Sequence, residues 1–195
     1  MTGDAYIFNA TTGAMIANLS GGGSDPYNAL SVAVSATHVA VGYTAWSNVS
    51  TGGIAKLFDL NGNLQRTFTS SQNDTWFGSS IALNSTKVVI GSPREQTNSG
   101  NVYVYNFAGS LQRVLTPTTR NNYERWGYEL SLTENLVAVG NTAAVADVPN
   151  NENTVFNVNT GARLMTTSVS NGEQWQVIAC TDNYVVVGYS NFTLG

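Results

Sequence analysis

Charge is what this chain has least of. Asp, Glu, Lys and Arg make up 10% of its 195 residues, against roughly a quarter in an average globular domain. Lys56 and Lys87 are its lysines, the arginines are scattered singly, and the net charge is −4. No basic stripe exists, so binding to a phosphate backbone has no electrostatic source and nucleic acid is excluded as an expected partner.

Cysteine and histidine are almost missing as well. Cys180 stands alone, so no intrachain disulfide can form, and its apolar neighbours predict a small buried side chain. His38 is the single histidine and is expected at a strand edge. A Ser/His/Asp set cannot be assembled beyond it, and the three or four clustered ligands that zinc needs are absent from the sequence. The longest apolar runs are four to six residues, far short of a bilayer span, so no membrane insertion is expected. The first residues lack the basic and apolar regions of a secretory signal peptide. No glycine-rich loop opens a helix, which removes a phosphate cradle. No cofactor and no metal are therefore expected.

What replaces charge is Asn, Ser, Thr and Gly, groups that solubilise through neutral hydrogen bonding. That profile suits β-rich proteins of extracellular surfaces and virus particles.

The dominant signal is a repeat. A β-branched run ending in glycine occurs as His38-Val-Ala-Val-Gly42, Lys87-Val-Val-Ile-Gly91, Leu136-Val-Ala-Val-Gly140 and Tyr184-Val-Val-Val-Gly188, with glycines 49, 49 and 48 residues apart. An alternating strand and a polar turn precede each run: Leu30–Val34, Ser79–Leu83, Tyr128–Leu132 and Gln176–Cys180. Val32, Ile81, Leu130 and Ile178 recur on the same period, as do Val34, Leu83, Leu132 and Cys180. Period-two alternation about short turns predicts a hairpin. A second hairpin follows a longer loop, turning at Asn61-Gly62, Ala108-Gly109 and Thr160-Gly161.

Two hairpins per unit make a four-stranded antiparallel sheet, the content of a propeller blade. The fold class is thus all-β, a β-propeller of four four-stranded antiparallel blades. Residues 28–69, 77–117 and 126–168 are expected as whole blades. Residues 1–20 supply the outer hairpin and 174–195 the inner hairpin of the remaining one. Closing that blade from both termini would remove exposed sheet edges. A head-to-tail dimer sharing blades satisfies the same pattern.

The second unit carries a family resemblance. Trp76-Phe-Gly-Ser-Ser-Ile-Ala-Leu-Asn-Ser-Thr-Lys-Val-Val-Ile-Gly-Ser-Pro93 followed by Ser99-Gly-Asn-Val-Tyr-Val-Tyr105 resembles the FG-GAP repeat, above all its bacterial and phage branch. The third unit keeps Trp126-Gly127 and Gly140 but has Asn141-Thr142 where the family has Ala-Pro. The resemblance implies a propeller, as in the integrin α-chain head, and a role in binding other molecules. Many such repeats carry an Asp-x-Asp-x-Asp-Gly calcium loop. The nearest string here, Asp59-Leu-Asn-Gly-Asn63, has one carboxylate, and calcium wants several anionic oxygens. It is expected to be a plain turn.

In such a blade the long loops share one face, and long loops on a rigid scaffold are where binding usually resides. Tyr27, Trp46, Trp76, Arg94, Tyr123, Trp126 and Trp175 are the candidate binding residues there. As stacking platforms they would suit sugars or a partner's side chains. As inter-blade packing each would bury ~150–250 Å², and this is the favoured reading for Trp76, Phe77 and Trp126, because the Phe of the family's repeat packs between blades. Arg94-Glu95 and Arg120 with Glu124-Arg125 suggest solvated ion pairs. Glu129 is the acid of an innermost strand, but its equivalents Ser31, Ser80 and Val177 are not acidic, whereas glycoside hydrolysis needs two carboxylates. The sequence therefore predicts a non-enzymatic structural or attachment module of a virion or a bacterial cell surface. Its partners would be protein subunits or a host surface, and it could itself be a homo-oligomer. The alternative is a glycan-binding propeller lectin.

Overall fold

A computed structural model describes residues 4–19, 28–44, 52–72, 75–120, 122–142, 151–169 and 174–191. It is all-β but for one short helical turn, and every strand pairing among the described residues is antiparallel. No helix there is long and apolar enough to cross a membrane.

An N-terminal hairpin, β1 (Tyr6–Phe8) and β2 (Met15–Asn18), comes first. The first blade is β3 (Asn28–Val34), β4 (His38–Thr44), β5 (Ile54–Asp59) and β6 (Leu64–Thr69). The second is β7 (Ile81–Leu83), β8 (Lys87–Ser92), β9 (Asn101–Asn106) and β10 (Leu111–Leu115), with the helical turn α1 (Glu95–Asn98) between β8 and β9. The third is β11 (Glu129–Leu132), β12 (Leu136–Gly140), β13 (Asn151–Asn157) and β14 (Arg163–Val169). A C-terminal hairpin, β15 (Gln174–Cys180) and β16 (Val185–Asn191), ends the described chain. Strands within each blade pair in sequence order, and the first strands β3, β7, β11 and β15 lie beside one another.

The blade expected from both termini is present as two separate two-stranded sheets, with no ladder joining β16 to β1 among the described residues. The described sheets form an open series: hairpin, three blades, hairpin.

Alternation along the anchor strands explains their sequence. Val88 and Ile90 face back and join Ala40, Ala55, Leu57, Phe68, Phe77 and Ile81 in the core between first and second blades. Val89 faces forward and joins Val104, Trp126, Val137, Val139 and Phe156 between second and third. A strand buried on both sides reads as a continuous apolar run rather than as alternation. A smaller core holds the N-terminal hairpin on the first blade through Ala5, Leu19, Val39, Val41, Tyr43 and Phe58. Tyr43 is fully buried and its hydroxyl donates to the Leu19 carbonyl; burial pushes its pKa up to about 12.

The anchor glycine marks where two blades touch backbone to backbone. A Cβ on Gly42 would lie 1.9 Å from the Gly78 carbonyl oxygen, and one on Gly91 would lie 2.0 Å from that of Gly127. Gly78 and Gly127 open the next blade with φ of +87° and +90°, a conformation glycine adopts without penalty. The contact is secured by side chains one repeat apart. Ser31 Oγ donates to the Gly78 carbonyl at 2.8 Å and Ser80 Oγ to that of Gly127 at 2.6 Å. At the opposite face Asn84 Nδ2 donates to the Thr133 carbonyl at 3.0 Å, and Ser85 Oγ to Glu134 at 2.6 Å.

The Asp59–Asn63 segment is a turn, as expected. Asp59 Oδ1 accepts from the amides of Asn61 and Asn63, each at 2.9 Å, and Oδ2 from Asn63 Nδ2 at 2.8 Å. The Asn63 side-chain bond leads in holding this carboxyl below its ordinary pKa. Cys180 is only partly buried, because the hairpin that carries it is covered on one side; its amide donates to Ser131 Oγ at 2.9 Å.

Candidate functional site

The loop face is best defined where the second blade meets the third. Pro93 and Arg94 lead out of β8 into α1, whose Gln96, Thr97 and Asn98 have φ of 53°, 62° and 63°. The connection from β10 to β11 lies on this turn. The Arg125 amide donates to the Asn98 carbonyl at 2.7 Å, that of Trp126 to Ser99 at 3.2 Å and that of Tyr123 to Thr97 at 3.4 Å. Trp76, Tyr123 and Arg125 are also left-handed, with φ of 53°, 68° and 53°. Left-handed non-glycine residues are uncommon and persist where surroundings over-determine them. Every one found among the described residues belongs to this patch.

Arginine and tryptophan are stacked here. The Arg94 and Arg125 guanidinium carbons lie 4.8 and 5.1 Å from the Trp76 ring centroid, within cation–π range. Burial, then the neighbouring Arg94 charge, pulls the Arg125 pKa below its usual value. Trp76 is buried at 8% exposure and Trp126 at 0%, the latter edge-on to Phe156 with centroids 6.0 Å apart. Tyr123 is 45% exposed. Tyr27 and Trp46 lie outside the described residues. Trp175 is placed in β15 opposite Ser190, its side chain outside the description. The structure thus gathers Trp76, Arg94, Tyr123 and Trp126 at one junction, two of the rings being turned inward.

The acids of this face are buried rather than solvated, contrary to the expectation of surface ion pairs. Glu95 is 3% exposed and accepts from Tyr103 Oη at 2.7 and 2.8 Å and from Asn101 Nδ2 at 3.0 Å. Burial first, and then this carboxylate, raise the Tyr103 pKa. Glu124 is fully buried and takes the Glu152 amide at 2.9 Å. Glu152 accepts from the Thr118 amide at 2.8 Å, the Thr118 and Thr154 hydroxyls at 3.0 and 2.5 Å, and Arg163 Nη1 at 2.6 Å. Buried acids are tolerated when their oxygens are hydrogen-bonded: Glu124 and Glu152 staple the connection to β13, and Glu95 fastens α1 to β9. Sequence reasoning missed this network. Its one signal was the rarity of acids in so uncharged a chain.

A second concavity, of about 350 Å³, lies among the first strands and is lined by Ser31, Ser79, Ser80, Tyr128 and Glu129. Glu129 occupies the repeat position of Ser31 and Ser80, and burial raises its pKa. It is the one carboxylate of that lining. Among the described residues no group of three or more His, Cys, Asp and Glu could hold a metal ion.

The raised pKa has a stability consequence. The folded state holds the Glu129 proton more tightly than the unfolded chain, so stability falls as pH rises through the raised pKa. Glu129→Gln should therefore raise the melting temperature at neutral pH. That gain should vanish near the ordinary glutamate value of about 4.3. Thermal melts of both proteins across this interval check it; an equal difference at every pH would refute the assignment.

Residues 70–105 match the FG-GAP repeat family. No curated protein matches the chain. Among solved structures, a protein of unknown function from Bacteroides caccae is similar at 15% identity and a TM-score of 0.57, covering 95% of this chain and 61% of the other. The Dos1 propeller is similar at 12% identity and a TM-score of 0.59, covering 96% and 47%. BamB from Moraxella catarrhalis is similar at 13% identity and a TM-score of 0.59, covering 96% and 49%. The chain therefore spans between 47% and 61% of the length of these three structures. At such identities the likeness is one of fold.

Proposed function

We propose that this FG-GAP-like β-propeller is a non-catalytic structural or attachment module, acting through other protein subunits or a host surface and needing no cofactor. The observation that carries this is how the loop-face chemistry is used. Trp76 is packed under two guanidinium groups, Trp126 is in the core, and Glu95, Glu124 and Glu152 are committed to internal hydrogen bonds. These groups hold the junction rigid instead of converging on a substrate. Exposed apolar side chains lie elsewhere, on the two hairpins, on β3 and on the outer strands β6, β10 and β14. Low charge and the bacterial and phage character of the second repeat favour a virion or a cell surface as its place of work.

A lectin is the second reading, favoured by the exposure of Tyr123 beside the stacked Trp76. A glycan array separates the two. The structural module should give no glycan signal above background. Saturable glycan binding lost on Tyr123→Ala would overturn it in favour of the lectin.

A further inference from the structure

The repeat lets equivalent positions be compared within one chain, and the comparison reveals an uncovered face. Val32 and Val34 of β3 are 66% and 71% exposed. Their equivalents one blade on are Ile81, 7% exposed, and Leu83, packed into the core against the first blade. Leu130 and Leu132, one blade further, pack on the core of the second. Ala33 and Ala40 of the first blade, from its strands β3 and β4, belong to the core that covers Ile81 and Leu83. Among the described residues the sheet behind Val32 and Val34 is the two-stranded β1–β2, the counterpart of β5–β6. The vacated space is a groove of about 620 Å³ lined by Tyr6, Ile7, Phe8, Val32 and Val34, among others.

The opposite end presents what that groove lacks. The hairpin β15–β16 is the counterpart of β3–β4, and its forward face is bare. Val177 is 63% and Val186 is 66% exposed, whereas Ala40, Val89 and Ala138, the equivalents of Val186, are all at 0%. The edges also match. In the third blade Val137 pairs with Phe156 and Ala138 with Val155. The N-terminal hairpin turns as that blade's outer hairpin does, with Phe8 opposite Met15 where Phe156 is opposite Arg163. Carried over by the repeat, β16 would meet β1 with Val185 opposite Phe8 and Val186 opposite Ile7.

We propose that the occupant is a second copy of this chain. The β15–β16 hairpin of each copy seats in the groove of the other, completing two shared blades and closing a two-fold ring. Nearly the whole described arc superposes on about half of the Dos1 and BamB structures. An arc of that curvature needs a second arc, not its own far end, to close. Head-to-tail contacts form closed rings when the rotation per copy divides the circle. Closure would pair the β1 and β16 edges and cover the apolar faces, which sheet proteins otherwise leave open to aggregation.

This rests on the structural-module reading, and the test separates the two. Light scattering should give twice the 20.7 kDa chain mass. Val186→Asp should lower it to one chain with the β-sheet circular dichroism retained. Val114→Asp, at a 44% exposed position on β10 of the second blade, should leave it doubled. In a Cys180→Ser background, Phe8→Cys and Val185→Cys chains refolded together should oxidise to a covalent heterodimer, since facing strand residues lie within disulfide reach. A single-chain mass for the native protein overturns the proposal. So does a Phe8→Cys/Val185→Cys double variant that links only within its own chain. Neither result touches the module reading, which falls only to saturable glycan binding.

Discussion

Gly91→Ala should be strongly destabilising. The added methyl would sit 2.0 Å from the Gly127 carbonyl oxygen and 2.2 Å from Ser80 Oγ. The serine can rotate away at the loss of its bond to Gly127. The carbonyl belongs to a backbone fixed at φ +90° and cannot move without shifting the third blade. Overpacking of this kind costs about 3 kcal/mol or more, a large part of the ~5–15 kcal/mol that holds a domain together. Gly140→Ala is the internal control. It occupies the same repeat position, but its nearest obstacle is the Glu129 Cβ at 3.3 Å, and Ile178 and Asn153 stand at 3.5 Å. Part of its crowding would be offset by the lower entropy of the unfolded chain, so its cost should stay within about 1 kcal/mol. Urea midpoints for the two variants decide the matter. Equal losses would mean that the glycines are needed for conformation and not for clearance.

The second large effect is expected at Glu152. Replacing it with alanine strips the acceptor from the Thr118 amide and hydroxyl, the Thr154 hydroxyl and Arg163. Removing one partner of a buried ion pair typically costs ~3–5 kcal/mol. Arg163 keeps 32% of its side-chain surface in water, which places the expected loss near the lower end, about 3 kcal/mol. Glu152→Gln retains one acceptor oxygen and should lose about half as much. Equilibrium unfolding of both variants checks the order, and a glutamine variant as damaged as the alanine would show that charge, not acceptor geometry, is what the site requires.

Much of this was legible in the residues. The anchor runs, their turns and the glycine hairpins announced a blade because packing between neighbouring sheets imposes one pattern at every junction. Val88, Val89 and Ile90 read as a strand apolar on both faces, and both faces are covered. The acids were not legible. Glu124 meets the amide of Glu152 across 28 residues and Glu152 meets Thr118 across 34, partnerships that no local pattern encodes. Nor were the left-handed turns at Gln96, Thr97 and Tyr123, which carry none of the glycine that usually marks them. Among the aromatic residues, packing between blades was the favoured reading for Trp76, Phe77 and Trp126, and all three are buried. Trp76 and Trp126 turn inward, as packing between blades requires, while Tyr123, three residues before Trp126, stays at the surface, a direction that no local pattern encodes. The open series of sheets was hidden for another reason. A period fixes what each blade contains, but the angle between blades depends on the side chains at their contact.

The bonds that recur one period apart, from Ser80 to Gly127, Asn84 to Thr133 and Ser131 to Cys180, also set how such a chain folds. Each joins a blade to the next one along, and none of them reaches past it. Stability in such an array is a sum over adjacent pairs rather than a property of one shared core. Order can then start at any junction and spread outward, and in a single chain the second blade, gripped by a whole blade on each side, should be the last to be lost and the two hairpins the first.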